Sequence, residues 1–165
     1  MISLTMKTKT ALKLIVVGLL VVVFTAEQAA SATPQQNSPA SMKVKVYFYH
    51  DPGEYIDLSP VTRLVSATAP ARASIDALLK GPTAQERQQG FDSLASASDF
   101  KIGSLSITAG TAKINLVSRR SWHGWPGDTA PIRFKTAVEL TLKQFPTVQK
   151  VIVSLNGDTK FADEG

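Results

Sequence analysis

Three consecutive residues, Gly81-Pro82-Thr83, constrain this chain more than any other feature, because they end one helix and begin another with no room for a loop. From Ala71 to Lys80 the apolar positions Ala71, Ile75, Leu78 and Leu79 fall at i, i+4, i+7 and i+8, the stripe of an amphipathic helix. Gly81 follows the last periodic residue, where a left-handed conformation costs glycine little, and Pro82 blocks continuation. Thr83-Ala84-Gln85-Glu86 then reads as a capping box: the threonine hydroxyl accepts the Glu86 N–H, and the glutamate accepts the Thr83 N–H. A short helix results, ending at Gly90, and Phe91 returns to the core. A Walker-type phosphate loop places its lysine after a second glycine and directly before Ser or Thr. Here Lys80 precedes Gly81, so Gly81, Pro82, Thr83, Glu86 and Gly90 are assigned architectural tasks.

The rest of the chain arranges itself around this corner. Lys43 to His50, KVKVYFYH, alternates with period two and predicts a first strand, and Asp51-Pro52-Gly53 is a turn. Pro60 to Ala67 predicts a second strand with Val61, Arg63 and Val65 on one face. Lys101–Ile107 and Ala112–Leu116 flank Thr108-Ala109-Gly110-Thr111 as a hairpin. A second long helix opens near Pro131, carries Phe134, Val138, Thr141, Leu142 and Phe145 on one stripe, and stops at Phe145-Pro146. Lys150 to Leu155 is a last strand, closed by Asn156-Gly157. The order β-β-α-β-β-α-β is met most simply by an α+β fold, a single sheet of about four to five strands with two main helices packed on one face.

The run LLKGPTAQERQQGF, together with VKVYFYH, SLSITAGTAKINL and VQKVIVSLNG, resembles the GerMN domain family, the sporulation and spore germination domain, over nearly all of residues 42–157. That resemblance implies an αβ domain similar to the ring-building modules of envelope machines, non-catalytic and concerned with binding or assembly. Its implied partner is another envelope protein.

Lys7, Lys9 and Lys13 precede an unbroken apolar run from Leu14 to Phe24, followed by Ala29-Ala30-Ser31-Ala32, the order of a secretory signal peptide. The run has 11 residues, whereas a membrane span needs about 20, so cleavage after Ala32 is expected rather than anchoring. Contact with a membrane then arises only if the segment stays uncleaved. The expected organisation is a signal peptide over 1–32, a flexible tether over 33–42 rich in Pro, Gln, Asn and Ser, and a domain over 43–165, exported to the periplasm or cell surface. Removing residues 1–32 lowers the net charge from +5 to +3, and the remaining basic residues are scattered apart from Arg119-Arg120, which argues against nucleic acid as a partner. There is no cysteine, which excludes disulfides, thiolate metal sites, cysteine nucleophiles and a lipid-modified cysteine.

Catalytic groupings are thin. His50, Asp51 and His123 lack paired metal-ligand spacing, no G-x-S-x-G elbow occurs, and Glu54, Asp57, Asp92 and Asp99 sit in turn contexts. The residues therefore ask for no catalytic group, cofactor or metal. The candidate partner or ligand surface is Arg119, Arg120, Trp122, His123 and Trp125, a loop that holds both tryptophans of the chain, since Trp and Arg dominate binding hot spots. Two uses of this loop are open: docking a protein, or stacking Trp122 and Trp125 on the sugar rings of a cell-wall glycan while the arginines meet anionic groups. The rings can equally fold back as a lid over the core. Arg63, on the apolar side of its strand, reads as a buried structural arginine or a groove residue.

Overall fold

Alternation builds the first strand. Val44, Val46 and Phe48 turn inward and are buried, while Lys43 before them and Lys45 among them are exposed. The computed structural model describes residues 40–51 and 57–163; the signal-peptide region, most of the tether and Glu54 lie outside the described residues. Strand β1 covers Ser41–His50, so Ser41 and Met42 are strand residues rather than tether. It pairs antiparallel with β2, Asp57–Ser66, along its whole length, and at its far end with the two-residue β3, Phe91–Asp92.

Between these strands lie α1, Pro70–Lys80, and α2, Ala84–Gln88. The hairpin is β4, Phe100–Thr108, and β5, Thr111–Ser118; α3, Ala130–Lys143, and β6, Lys150–Leu155, complete the fold. Strand β6 pairs parallel to β5, so the chain must cross over between them, and α3 makes the crossover.

The expectation of one sheet is corrected. Two three-stranded sheets form, β2-β1-β3 and β4-β5-β6, with three helices. The reason is visible at the edge of β1 that faces away from β2. Gln144, at the end of α3, donates from Nε2 to the Lys45 carbonyl at 2.7 Å and accepts the Lys45 N–H on Oε1 at 2.7 Å. Its amide makes the two bonds that a neighbouring strand would make. Thr141 Oγ1 lies 3.4 Å from the Tyr47 nitrogen, and β3 pairs with Tyr49 and His50 beyond it. From Lys45 to His50 that edge is therefore taken, and the hairpin does not join it there.

The helices are consequently shared between sheets instead of lying on one face of one sheet. Helix α1 packs on β1, β2 and β4, α3 on β1 and β6, and the two touch each other. A single core results, with Val46, Phe48, Ile75, Phe100, Ile114, Leu116, Val138 and Leu142 at its centre. Full burial of side chains of this size stabilises by roughly 1.5–3 kcal/mol each, before the cost of ordering them.

Candidate functional site

The exit of α1 is held by caps and by a close backbone contact. Gly81 caps α1, and the Thr83–Glu86 capping box is present in both directions, with Glu86 N–H to Thr83 Oγ1 at 3.2 Å and Thr83 N–H to Glu86 Oε2 at 2.8 Å. Gly90 has φ of +88°, and an added Cβ would collide with the Asp51 carbonyl, because the backbones of β1 and the α2 exit touch there: Asp51 N–H donates to the Gly90 carbonyl at 3.0 Å.

Glu86 carries a second task that its place in the capping box conceals. Its two carboxylate oxygens accept from Arg63 Nη1 and Nη2, each at 2.6 Å, in a fork-to-fork pair. Arg63 reaches over from β2 with its guanidinium 5.5 Å from the Phe48 ring centre. The side chains are 19% and 17% exposed. The Arg63 guanidinium, and then the Thr83 N–H, lower the Glu86 carboxyl from 4.5 to about 2, against the opposing effect of partial burial. Arg63 is thus a structural arginine that clamps α2 to β2.

The remaining ionisable candidates serve local turns or rings. His50 Nε2 lies 3.0 Å from the Gln89 carbonyl, and its ring stacks on Phe91 at 4.1 Å. Asp57 accepts the Leu58 N–H, Asp92 the Ser93 N–H, and Asp99 the Ser96 N–H and hydroxyl. His123 is exposed in the loop after β5, far in sequence from His50. Among the described residues, no three His, Cys, Asp or Glu side chains form a group that could hold a metal ion.

The tryptophan loop is built on Phe100, which is fully buried. Trp122 and Trp125 lie 5.4 and 5.5 Å from its ring centre, Trp125 also packs on Phe134 at 5.4 Å, and Phe161 stacks beside Trp125 at 6.3 Å. The two indoles meet edge to face, 5.8 Å apart at 75°. Backbone bonds fix the loop's entry: Arg119 N–H to the Asp99 carbonyl at 2.7 Å and Trp122 N–H to the Arg119 carbonyl at 3.1 Å, with Ser121 Oγ donating to the Ser98 carbonyl. Both rings are therefore half-buried lids on the core, while Arg119, Arg120 and His123 are exposed. Between the loop and Leu94–Ala95 runs a groove of about 340 Å³, reached by Asp99, Trp122, His123 and Trp125.

Sequence reasoning brought Arg119, Arg120, Trp122, His123 and Trp125 to one loop, and the structure keeps them there. It missed Phe100 and Phe161 as the rings that hold the loop. The predicted strand begins one residue later, at Lys101, although Phe100 alternates with Ile102, whereas Phe161 follows the final turn with no periodic signal at all.

Comparison with known proteins places this geometry. The Germane family, described as sporulation and spore germination, matches residues 45–161. Among solved structures, the tandem GerMN domains of the sporulation protein GerM from Bacillus subtilis superpose with a TM-score of 0.55 at 21% identity; the match covers 72% of this chain and 40% of that one, so the chain spans less than half of the tandem structure. The first GerMN domain of the same protein gives a TM-score of 0.54 at 21% identity, covering 71% of this chain and 84% of that one. No curated protein matches.

Proposed function

Because the chain belongs to the Germane family of sporulation and spore germination domains, we propose that it is an exported, non-catalytic module of the cell envelope that docks another protein through its tryptophan loop. The observation that carries this reading is the anchoring of Trp122 and Trp125 on Phe100 and Phe134, which holds Arg119, Arg120 and His123 outward on a loop already ordered by backbone bonds. A preordered arginine and aromatic surface loses little conformational freedom on binding, which is what hot spots require. Export is supported by the basic start, the apolar run Leu14–Phe24 and the small residues Ala29 to Ala32. The non-catalytic reading is supported by the local engagement of His50, Asp57, Asp92 and Asp99.

A glycan would stack on ring faces that lie roughly parallel, and the 75° angle between the indoles offers no such pair. Protein docking is the reading adopted. The protein, immobilised and exposed to an envelope extract, recovers a defined partner protein, and the double variant Arg119→Ala, Arg120→Ala loses it while melting at the wild-type temperature. Retention on purified cell wall with no protein recovered, or recovery indifferent to the two arginines, refutes the proposal.

A further inference from the structure

Among the described residues no strand pairs with the outer edge of β2, and the direction of its backbone groups follows from the bonds of β1. Lys45 donates its N–H to α3, and Asp51 donates to Gly90 on the same side. The alternate residues Val44, Val46 and Phe48 therefore face β2, where the register opposes them to Arg63, Val61 and Ser59. Ala67 N–H donating to the Ala40 carbonyl at 2.8 Å continues the series. Pro60, Thr62, Leu64 and Ser66 consequently direct their backbone groups outward. Pro60 has no N–H and ends the usable edge, leaving Thr62 to Ser66, where the Thr62 carbonyl accepts from Arg63 Nη1 at 3.4 Å on one of its two lone pairs and keeps the other. At its middle, Leu64 is 69% exposed.

Helix α1 runs beside this edge. Ala73, Asp76, Ala77 and Lys80, at i, i+3, i+4 and i+7, line with residues 63–66 a groove of about 360 Å³. Asp76 and Lys80 are exposed and, among the described residues, belong to no ion pair.

We propose that this surface binds a second copy of the chain. Two β2 edges pair antiparallel about a two-fold axis at Leu64, joining two three-stranded sheets into one of six strands. Thr62 opposes the partner's Ser66 and Leu64 the partner's Leu64, each pair exchanging two N–H···O bonds, and the two exposed leucines cover one another. The helices fit the same axis. Strands are spaced by about 4.8 Å, and α1 packs over both β1 and β2, so its axis lies about 5 Å to one side of the seam. Two copies of α1 then lie about 10 Å apart, at the upper end of the distances at which helices pack. Ala73 and Ala77 are small enough for that approach. The antiparallel arrangement points Asp76 of each helix toward the Lys80 of the other, which meets the requirement that a two-fold interface complement itself. A lone strand from a different protein would pair with Thr62–Ser66 and leave Asp76 and Lys80 to solvent. The proposal does not depend on the tryptophan loop.

Sedimentation of the purified chain between about 1 and 100 μM, the range in which a micromolar interface assembles, reads the outcome. The wild type passes from monomer to dimer. Leu64→Lys sets two like charges against each other at the axis and yields monomer, as does Asp76→Lys, while the charge swap Asp76→Lys with Lys80→Asp regains the dimer. Circular dichroism confirms that each variant is folded. A wild-type monomer at about 100 μM, association that Leu64→Lys leaves intact, such as one driven by the apolar run of residues 14–24, or a charge swap that stays monomeric overturns the proposal.

Discussion

Replacing Glu86 by Gln isolates the charge of the Arg63–Glu86 clamp. Glutamine keeps an amide that can return to the Thr83 N–H, so the capping box survives in shape while the guanidinium loses its counter-charge. The lowering of the Glu86 carboxyl from 4.5 to about 2 is worth, at about 1.4 kcal/mol per pH unit, roughly 3 kcal/mol as a ceiling. Both side chains keep some contact with solvent, and screening brings the expected cost of Glu86→Gln at pH 7 to about 1–2 kcal/mol, or about 4–8 °C in melting temperature. The sign follows from the direction of the shift. A carboxyl with a depressed folded value contributes fully above its unfolded value of 4.5 and loses that contribution as pH falls toward about 2. Urea unfolding, followed by the emission of Trp122 and Trp125, should therefore show a gap between wild type and variant that is full at pH 7, less than half as large at pH 3, and nearly closed at pH 2. A gap of equal size at pH 7 and pH 3 would show that shape rather than charge is responsible; no gap at pH 7 would show that the clamp contributes nothing. Either result refutes the reasoning.

Gly90→Ala places a methyl against the Asp51 carbonyl at a positive φ, and thermal melts should register a loss of more than about 2 kcal/mol. Phe100→Ala removes the ring on which both indoles rest; unfolding experiments should show a loss of about 3–5 kcal/mol, with tryptophan emission shifted to the red in the native state. Gln144→Leu deletes both bonds to the Lys45 backbone, at a cost of about 1–3 kcal/mol, and faster amide hydrogen exchange at Lys45 relative to Val46 would confirm that the edge has opened.

Each of these perturbations falls where a local feature meets a distant one, and that boundary separates what could be read in advance from what could not. The capping box, the glycine at the end of α1, the span of β6 and the α3 stripe are relations among residues within about a dozen positions of each other, governed by helix and strand periods that any chain obeys. The loop of Arg119, Arg120, Trp122, His123 and Trp125 was legible for the same reason, since its candidates are neighbours in the chain. That its rings lean on the core was left open, because Phe100, Phe134 and Phe161 reach it from three separate parts of the chain.

Sequence by itself determined the kinds and order of the main elements, the family, and the capping box of Thr83 and Glu86, because a helix's one-turn hydrogen bonds and a strand's alternating faces follow from residue types close together in the chain. Tertiary structure decided that the strands divide into two sheets, that Glu86 answers Arg63 across 23 positions, and that Gln144 stands in for a strand beside Lys45 across 99. A polar side chain has many partners it could satisfy, and only the packed core brings one of them within bonding distance.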